Sequence, residues 1–326
     1  MQPYLDNTLQ EGEITMAYPK VTIVGAGNVG ATAGMILAMK DIADVVLCDV
    51  VEGMPQGKAL DMMHMRSNEK YVTTITGTND YADTANSDVV VITAGIARKP
   101  GMTREDLIGI NSKIMLDVIG KAKAASPNAI FICVTNPLDV MTYLAFKNAG
   151  VPKNRLMGMG GVLDSARYAF AIAEATGASV DDITAYAVGA HGQSMVTLPR
   201  FSTVKGQPLT EILTPEQIEA TTKRTVNGGA EVVELLKTGS AFYAPGSSIA
   251  KMVEAILNDT HEVMSVCAYL EGEYGIEDTY MCVPVELGRN GVEKIIELDV
   301  NEAELAELQA SAASIAAQVD SLGLRA

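Results

Sequence analysis

The chain has 326 residues, 48% hydrophobic and 20% charged; this ordinary globular composition, at ~150 residues per domain, predicts two domains. Asp and Glu number 40 against 24 Lys and Arg, so the formal net charge is −16, which argues against nucleic acid and anionic membranes as partners. The sequence has no apolar run of about 18 residues, so we expect no membrane-spanning helix.

Residues 1–17 are acidic and have neither a basic start nor an apolar stretch, which argues against a secretory signal. We interpret them as a disordered extension, an expression remnant or an upstream start, with Met16 as an alternative start. The four cysteines lie in apolar stretches without metal-like spacing: Cys48, Cys133, Cys267 and Cys282. We expect buried, reduced thiols of a cytoplasmic protein and no metal site.

Residues 18–160 alternate between strand and helix patterns. The predicted strands are residues 21–25, 45–49, 71–77, 87–95 and 129–137. The predicted helices are residues 28–40, 54–66 and 104–124. Continuously apolar strands separated by helices predict an α/β fold, a Rossmann-type doubly wound parallel sheet with helices on both faces.

Residues 161–326 follow a different pattern, in which antiparallel strands mix with long helices. The predicted helices are residues 163–176, 215–237, 247–258 and 301–322, and the strand-like stretches are 183–192, 263–269 and 279–287. This half is expected to be a C-terminal α+β domain that binds substrate and supports oligomerisation.

A glycine-rich turn directly follows the first strand and opens a helix. Its sequence is GAGNVG, formed by Gly25, Ala26, Gly27, Asn28, Val29 and Gly30. The glycines permit a tight turn, the approach of a pyrophosphate and close helix packing, and the helix N-terminus adds N–H donors. Asp49 ends the next strand, where a carboxylate binds ribose hydroxyls and repels a 2′-phosphate. The pattern therefore predicts NAD rather than its phosphorylated form; the alternative is a glycine-rich turn beside a solvated aspartate.

Histidine candidates for acid–base chemistry are few, because the chain has three histidines. His64 lies on a Met-rich helix and His261 begins a strand, so both are expected to be structural or exposed. His191 lies in VGAHGQS, between small residues that leave space around its ring. Asp164 and Arg167, three residues apart on one helix, could orient a histidine and bind a carboxylate, or could simply pair with each other.

A basic loop, residues 93–107, interrupts the acidic chain with Arg98, Lys99 and Arg104. Gly and Pro residues within it would allow movement as a lid. It leaves the carboxyl end of a central strand, where open α/β sheets bind ligands, which favours a binding role over a solvated basic loop.

The sequence resembles the lactate/malate dehydrogenase family, and within it the lactate-dehydrogenase-like malate dehydrogenases. The resemblance runs from about residue 20 to the C-terminus. It rests on VVEGMPQGKALD, GTNDYADTANSD, IARKPGMTREDL, VTNPLDVMTY, GVLDSARY, LKTGSAFYAP and GVEKIIEL. It implies reversible, NAD-dependent interconversion of (S)-malate and oxaloacetate in the tricarboxylic acid cycle, by a cytoplasmic homodimer or homotetramer.

The resemblance also implies roles for single residues. His191 would be the proton donor and acceptor, and Asp164 would orient it. Arg167 would bind the substrate C1 carboxylate. Arg104 would polarise the reacting carbonyl, and Asn136 would contact the substrate oxygen and help to place the nicotinamide.

Arg98 lies where malate-specific members carry arginine and lactate-specific members usually carry glutamine, so it is expected to select a dicarboxylate. Besides the glycine-rich turn and Asp49, the resemblance implies that Asn111, Val134, Thr135 and Asn136 contact NAD. Two departures are Ala190 and Gln193, where the family commonly reads GGHGD or GEHGD. The alternatives are a lactate or other 2-hydroxy acid dehydrogenase and a catalytically silent NAD-binding protein.

Overall fold

The parallel sheet predicted for the first half is present in the computed structural model, which describes residues 18–97 and 103–323. Its strands are β1 (Lys20–Val24), β2 (Asp44–Cys48), β3 (Ile75–Thr78), β4 (Val89–Ile92), β5 (Ile130–Cys133) and β6 (Leu156–Gly158). Their order is β3-β2-β1-β4-β5-β6, and each neighbouring pair is parallel. The Rossmann-type fold class is thus confirmed, while the extension expected at residues 1–17 lies outside the described residues.

The helices of the first half connect these strands. They are α1 (Asn28–Met39), α2 (Met54–Glu69), α3 (Arg104–Ala125) and α4 (Leu138–Ala149). Local sequence sets their ends: Pro55 lies in the first turn of α2, and Thr103 and Asp106 form a reciprocal capping box at the start of α3. Every residue of β4 and β5 is buried, as expected for strands covered on both faces.

The second half combines antiparallel strands with helices, as predicted. Its helices are α5 (Gly160–Thr176), α6 (Leu209–Ile212), α7 (Pro215–Leu236), α8 (Tyr243–Leu257) and α9 (Glu302–Ser321). Its strands are β7 (Ile183–Thr184), β8 (Ala187–Gly189), β9 (Met195–Thr197), β10 (Thr203–Val204), β11 (Gln207–Pro208), β12 (Glu262–Glu271), β13 (Glu277–Gly288) and β14 (Gly291–Ile295). Short 3-10 helices occur at Tyr81–Thr84, Lys153–Arg155, Val180–Asp182 and Glu273–Gly275.

One sheet runs through both halves of the described chain. Strand β6 pairs with β5 on one side and, through Gly158 and Cys267, with β12 on the other. The sheet then continues through β13 and β8 to β9, and β14 pairs with β13, giving 11 strands. Helix α1 also packs against α8. The second half therefore extends the parallel sheet with antiparallel strands instead of forming a separate layer.

Some element predictions were wrong. Residues 71–77 were predicted as one strand, but pairing begins at Ile75. The preceding amides of Val72 and Thr73 donate instead to the Asp41 carboxylate, and that of Thr74 donates to Asp44. These carboxylates replace strand partners as acceptors.

The stretch at residues 183–192 was predicted as a single strand, but it divides between two sheets. Strand β7 belongs to a three-stranded sheet with β10 and β11, whereas β8 pairs with β13 and β9.

All four cysteines are buried and free, as predicted. No helix in the described part of the chain is long and apolar enough to cross a membrane.

Candidate active site

The glycine-rich turn between β1 and α1 depends on the absence of side chains at two positions. Gly25 has φ of +107°, and a Cβ there would lie 2.5 Å from Thr93 Oγ1. A Cβ on Gly30 would lie 2.1 Å from the Gly25 carbonyl oxygen, so the helix could not approach the turn. Above Gly27, by contrast, a Cβ would meet nothing within 4 Å. The turn thus leaves open space at the helix N-terminus, as a pyrophosphate requires.

The Ala26 peptide within this turn is held from both sides. Its amide donates to Asp49 Oδ2 at 2.8 Å, and the Lys58 ammonium donates to its carbonyl oxygen at 2.8 Å. The other Asp49 oxygen accepts from the Val51 amide at 3.0 Å. The sequence analysis identified Asp49 but missed Lys58. The available signal was weak, because Lys58 is a single basic residue on the predicted helix that follows the second strand.

A cleft of about 360 Å³ opens at the carboxyl ends of β1, β4 and β5. Several of the predicted site residues line it: Gly27, Asn28, Val29, Gly30, Val134, Thr135, Asn136 and His191. The opposite wall is formed by residues 239–242 and Pro245 from the second half. The nucleotide-binding turn and the candidate acid–base histidine therefore share one cleft.

Asn111 was predicted to contact the cofactor, but its side chain is fully buried beneath the cleft. Its Oδ1 accepts from the Ile96 amide at 2.9 Å, and its Nδ2 donates to the Asn136 carbonyl at 2.7 Å. Thr135 donates to the Ala94 carbonyl at 2.7 Å. These bonds join the loops that follow β4 and β5, so Asn111 positions the cleft lining from below.

His191 follows β8 and faces Asp164 on α5. Its Nδ1 lies 2.8 Å from Asp164 Oδ2, and the two side chains are 15% and 2% exposed. Burial by itself lowers the pKa of His191, but the charge and hydrogen bond of Asp164, with the charge of Asp139, raise it above the ordinary value of 6.5. The pair can therefore hold a proton near neutral pH and keep it on a defined ring nitrogen.

Arg167 lies one helical turn beyond Asp164, with its Nη1 atom 3.5 Å from Asp164 Oδ1. Its side chain packs against two consecutive glycines in the middle of α7. A Cβ on Gly228 would lie 3.2 Å from Arg167 Cδ, and one on Gly229 would lie 3.4 Å from Arg167 Nη2. Glycine is unfavourable inside a helix, so two consecutive glycines there indicate that space is needed for a neighbouring group, in this case the guanidinium. The sequence analysis missed this signal.

Gly160 fits the start of α5 closely beneath the histidine. A Cβ there would lie 2.4 Å from Leu138 Cδ2 and 2.9 Å from His191 Cβ.

The two residues beside the histidine that depart from the family pattern differ in environment. Ala190 is buried and its amide donates to Ser311 Oγ, whereas Gln193 is exposed.

A second carboxylate near the histidine was missed. Asp139, in the first turn of α4, is 6% exposed and accepts the His191 backbone amide at 3.0 Å. Its signal in the sequence was an acidic residue three positions after Asn136 in an otherwise apolar stretch.

Two residues predicted for substrate contact cannot be located. Arg98 lies outside the described residues, as do Lys99 and the rest of residues 98–102. The backbone of Arg104 begins α3, but its side chain is also outside the described part.

In the described part of the chain, one group has metal-like spacing: Asp139, Cys267 and Cys282, whose ligand atoms lie within 4.8 Å of one another. All three are buried. Burial raises the pKa of the Cys267 thiol well above its ordinary value, so it remains protonated and donates to Asp139 at 3.4 Å. Hydrogen bonding within the group accounts for the arrangement.

Comparison with known proteins finds two family domains in the chain. Residues 19–158 match the lactate/malate dehydrogenase NAD binding domain, and residues 161–322 match the lactate/malate dehydrogenase alpha/beta C-terminal domain. A curated relative, the malate dehydrogenase of Roseiflexus castenholzii, is 51% identical over 304 residues, which cover 93% of this chain and 98% of the relative.

Two solved structures have the same fold over nearly their full lengths. The malate dehydrogenase of Cryptosporidium parvum is 41% identical with a TM-score of 0.91, covering 94% of this chain and 99% of that one. The lactate dehydrogenase of the same organism, solved with lactic acid and nicotinamide adenine dinucleotide, is 39% identical, with a TM-score of 0.91 and the same coverage. The overall fold thus does not distinguish the two activities, and the residues around the substrate must do so.

Proposed function

The chain belongs to the lactate/malate dehydrogenase family, and we propose that it interconverts (S)-malate and oxaloacetate with NAD as cofactor. The observation that carries the proposal is the His191–Asp164 pair, 2.8 Å apart, in the same cleft as a glycine-rich turn with open space above Gly27. A catalytically silent NAD-binding protein would need the turn and Asp49 but not this buried acid–base pair.

In the reductive direction, C2 of oxaloacetate gains a hydride while its oxygen takes a proton from His191, so the ketone becomes the alcohol of malate. Bound NADH supplies that hydride, and bound NAD⁺ accepts it in the reverse direction. Negative charge develops on the C2 oxygen, so the protonated imidazole stabilises the transition state as well as donating the proton. In malate oxidation, neutral His191 removes the same proton.

Asp164 orients the His191 imidazole for this proton transfer. Its carboxylate accepts a hydrogen bond from Nδ1, so the proton exchanged with substrate is on Nε2. Arg167 binds the C1 carboxylate, because its planar guanidinium can donate two parallel hydrogen bonds. Asn136 contacts the substrate oxygen and helps to place the nicotinamide.

The two arginines of the basic loop complete the substrate site. Arg104 polarises the C2 carbonyl, and Arg98 pairs with the second carboxylate of oxaloacetate. Pyruvate lacks that carboxylate, which is the basis for assigning malate rather than lactate. The 51% identity to a curated malate dehydrogenase supports the same choice.

The cellular setting is also part of the proposal. Four buried, free thiols suit the reducing cytoplasm, and the reaction suits the tricarboxylic acid cycle. Fluorescence microscopy and fractionation of the tagged protein test the location: recovery outside the cytoplasm would contradict it.

We further propose a homodimer or homotetramer. Apolar side chains are exposed on both halves, among them Leu60 on α2 at 58%, Phe170 on α5 at 52% and Tyr243 on α8 at 70%. Where such side chains form one contiguous patch, they mark an interaction surface. Sedimentation equilibrium decides: a mass near 34.4 kDa at micromolar concentration would contradict oligomerisation.

The activity itself is tested by following NADH absorbance with oxaloacetate and, separately, with pyruvate. We expect oxidation of NADH with oxaloacetate and a rate lower by about 10²–10⁴ for His191→Ala. Equal rates for the two proteins would refute the role of His191. A preference for pyruvate would favour a lactate dehydrogenase, and inactivity with both acids alongside NADH binding would favour a silent binding protein.

A further inference from the structure

Asp139 is a buried carboxylate beside the candidate acid–base histidine that the chemistry above does not use. Its Oδ2 accepts the backbone amide of His191 at 3.0 Å, and its Oδ1 accepts the thiol of Cys267 at 3.4 Å. The side chain lies in the first turn of α4 and is 6% exposed. It therefore contacts the histidine through the main chain, whereas Asp164 contacts the ring.

The two donors that Asp139 accepts from are both neutral. A buried carboxylate is unfavourable unless positive charge or strong donors compensate it. The N-terminus of α4 supplies a partial positive charge, and a protonated His191 would supply a full one. Because electrostatic attraction is mutual, a negative Asp139 stabilises the protonated form of His191 just as that form stabilises Asp139.

Among the residues that the structure describes, the other ionisable groups near His191 come from three elements. From α5, Asp164 favours the protonated imidazole and Arg167 opposes it. From β12 and β13, Cys267 and Cys282 face Asp139 as thiols. Among these described groups, two buried carboxylates favour the imidazolium and one cation opposes it.

We propose that Asp139 is a positioning residue for proton transfer: it holds the His191 main chain and, through its negative charge, sets the pH range in which each direction of the reaction runs. The proposal rests on the proton-transfer role given to His191 above.

The ionisation behaviour of the two groups agrees with this geometry. Burial raises the pKa of Asp139 to about 6, although the His191 charge, the His191 amide and the Cys267 thiol act in the opposite sense. The pKa of His191 is itself raised above 6.5. The two groups thus titrate as a coupled pair, and Asp139 is mostly ionised at and above neutral pH.

Asp139→Asn separates charge from shape. The amide oxygen can still accept the His191 amide, and the amide nitrogen can donate to the Cys267 sulfur, so the packing is preserved. Loss of the charge lowers the pKa of His191. Reduction of oxaloacetate needs protonated His191, so its alkaline decline should move about one pH unit lower. Oxidation of malate needs neutral His191, so its acid decline should move lower by a similar amount.

Displacement of both pH profiles distinguishes this role from a structural one. In Asp139→Asn, the declines of kcat/KM for oxaloacetate and for malate should both move to lower pH, whereas a misplaced histidine would lower kcat/KM in both directions without moving either decline. Asp117→Asn is the matched control, because Asp117 is 56% exposed on α3 and its replacement makes the same change in charge. We expect both of its pH profiles to coincide with those of the unmodified protein.

Histidine NMR provides a readout that does not depend on turnover. With His64→Gln and His261→Gln as background, the remaining imidazole resonance reports His191, and Asp139→Asn should lower its titration midpoint by about one pH unit. If Asp139→Asn does not fold, Cys267→Ala carries the test. Loss of the thiol donor should leave Asp139 less ionised below pH 7. The titration midpoint of His191 should therefore fall, but by less than in Asp139→Asn.

The outcomes separate the two proposals. Failure of the unmodified protein to use oxaloacetate would overturn the proposed function. A different result would overturn the role of Asp139 alone. In that case the unmodified protein is active, and folded Asp139→Asn changes neither the pH profiles nor the NMR midpoint of His191.

Discussion

The side-chain amide of Asn111 donates a 2.7 Å hydrogen bond to the backbone carbonyl of Asn136, and its oxygen accepts the Ile96 amide. One fully buried side chain on α3 thereby sets the separation of two loops that line the cleft. Its burial and its backbone partners favour a positioning role over direct contact with the cofactor, and an experiment can separate the two roles.

Asn111→Ala should destabilise the protein and weaken catalysis together. The change leaves the partly buried Ile96 amide and Asn136 carbonyl without their side-chain partner, so we expect a loss of about 1–2 kcal/mol in the free energy of unfolding. KM for oxaloacetate should rise because Asn136 loses its support. Urea unfolding and steady-state kinetics measure these effects; weakened NADH binding with unchanged stability would instead identify Asn111 as a cofactor ligand.

Two glycines of the first turn should respond differently to the same change. Gly27→Ala should fold normally, because its Cβ would enter open space, but NADH affinity should fall roughly tenfold or more as the methyl group obstructs the pyrophosphate. Gly30→Ala should cost about 3 kcal/mol of folding free energy, because its Cβ would overlap the Gly25 carbonyl.

Thermal melting and fluorescence titration with NADH separate the two cases. Unaltered NADH affinity in a folded Gly27→Ala protein would mean that the cofactor does not approach this turn.

Gly228→Ala should stabilise α7 while impairing substrate binding. Replacing glycine inside a helix adds up to about 1 kcal/mol of stability, yet the new methyl group would lie 3.2 Å from Arg167 Cδ and displace the guanidinium. We expect KM for oxaloacetate to rise roughly tenfold.

Gly120→Ala is the matched control for this prediction, since Gly120 is an exposed position in α3 where a Cβ meets nothing within 4 Å. It should provide the helix stabilisation without the change in KM. If both variants leave KM unchanged, Arg167 does not bind the substrate carboxylate in the orientation inferred here.

Arg98→Gln should shift preference from oxaloacetate toward pyruvate. With pyruvate bound, Arg98 would be desolvated without a partner, at a cost of about 3–5 kcal/mol, which corresponds to roughly 10²–10⁴ in relative kcat/KM. Kinetics with both acids and both proteins measure the ratio. An unchanged ratio would remove Arg98 from the specificity site.

The residues predicted best from sequence are those whose local pattern and chemistry agree. GAGNVG follows a buried strand and opens α1, so both its conformation and its place at the cleft followed from the pattern. The pairing of Asp164 with His191 could be anticipated only as a hypothesis, because 27 residues separate them and the fold alone brings them together.

Asp139 was missed for a physical reason. Helix α4 is buried over nine of its 12 residues, so its sequence lacks the polar face that makes a helix recognisable. Strand β6 was missed because three residues carry no usable alternation. Without these two elements, neither the Asp139 contact nor the continuation of the sheet into β12 could be inferred.

That continuous sheet has an effect on the entropy of the reaction. Asn136, after β5, and His191, after β8, are attached to strands of the same hydrogen-bonded unit. Their relative orientation is therefore established when the chain folds, so these two groups lose little further freedom when the reactants bind. Well-oriented groups of this kind can lower a barrier by about 7–11 kcal/mol relative to free encounter. We therefore expect the antiparallel extension of the sheet to contribute to the rate by holding His191 in a fixed orientation.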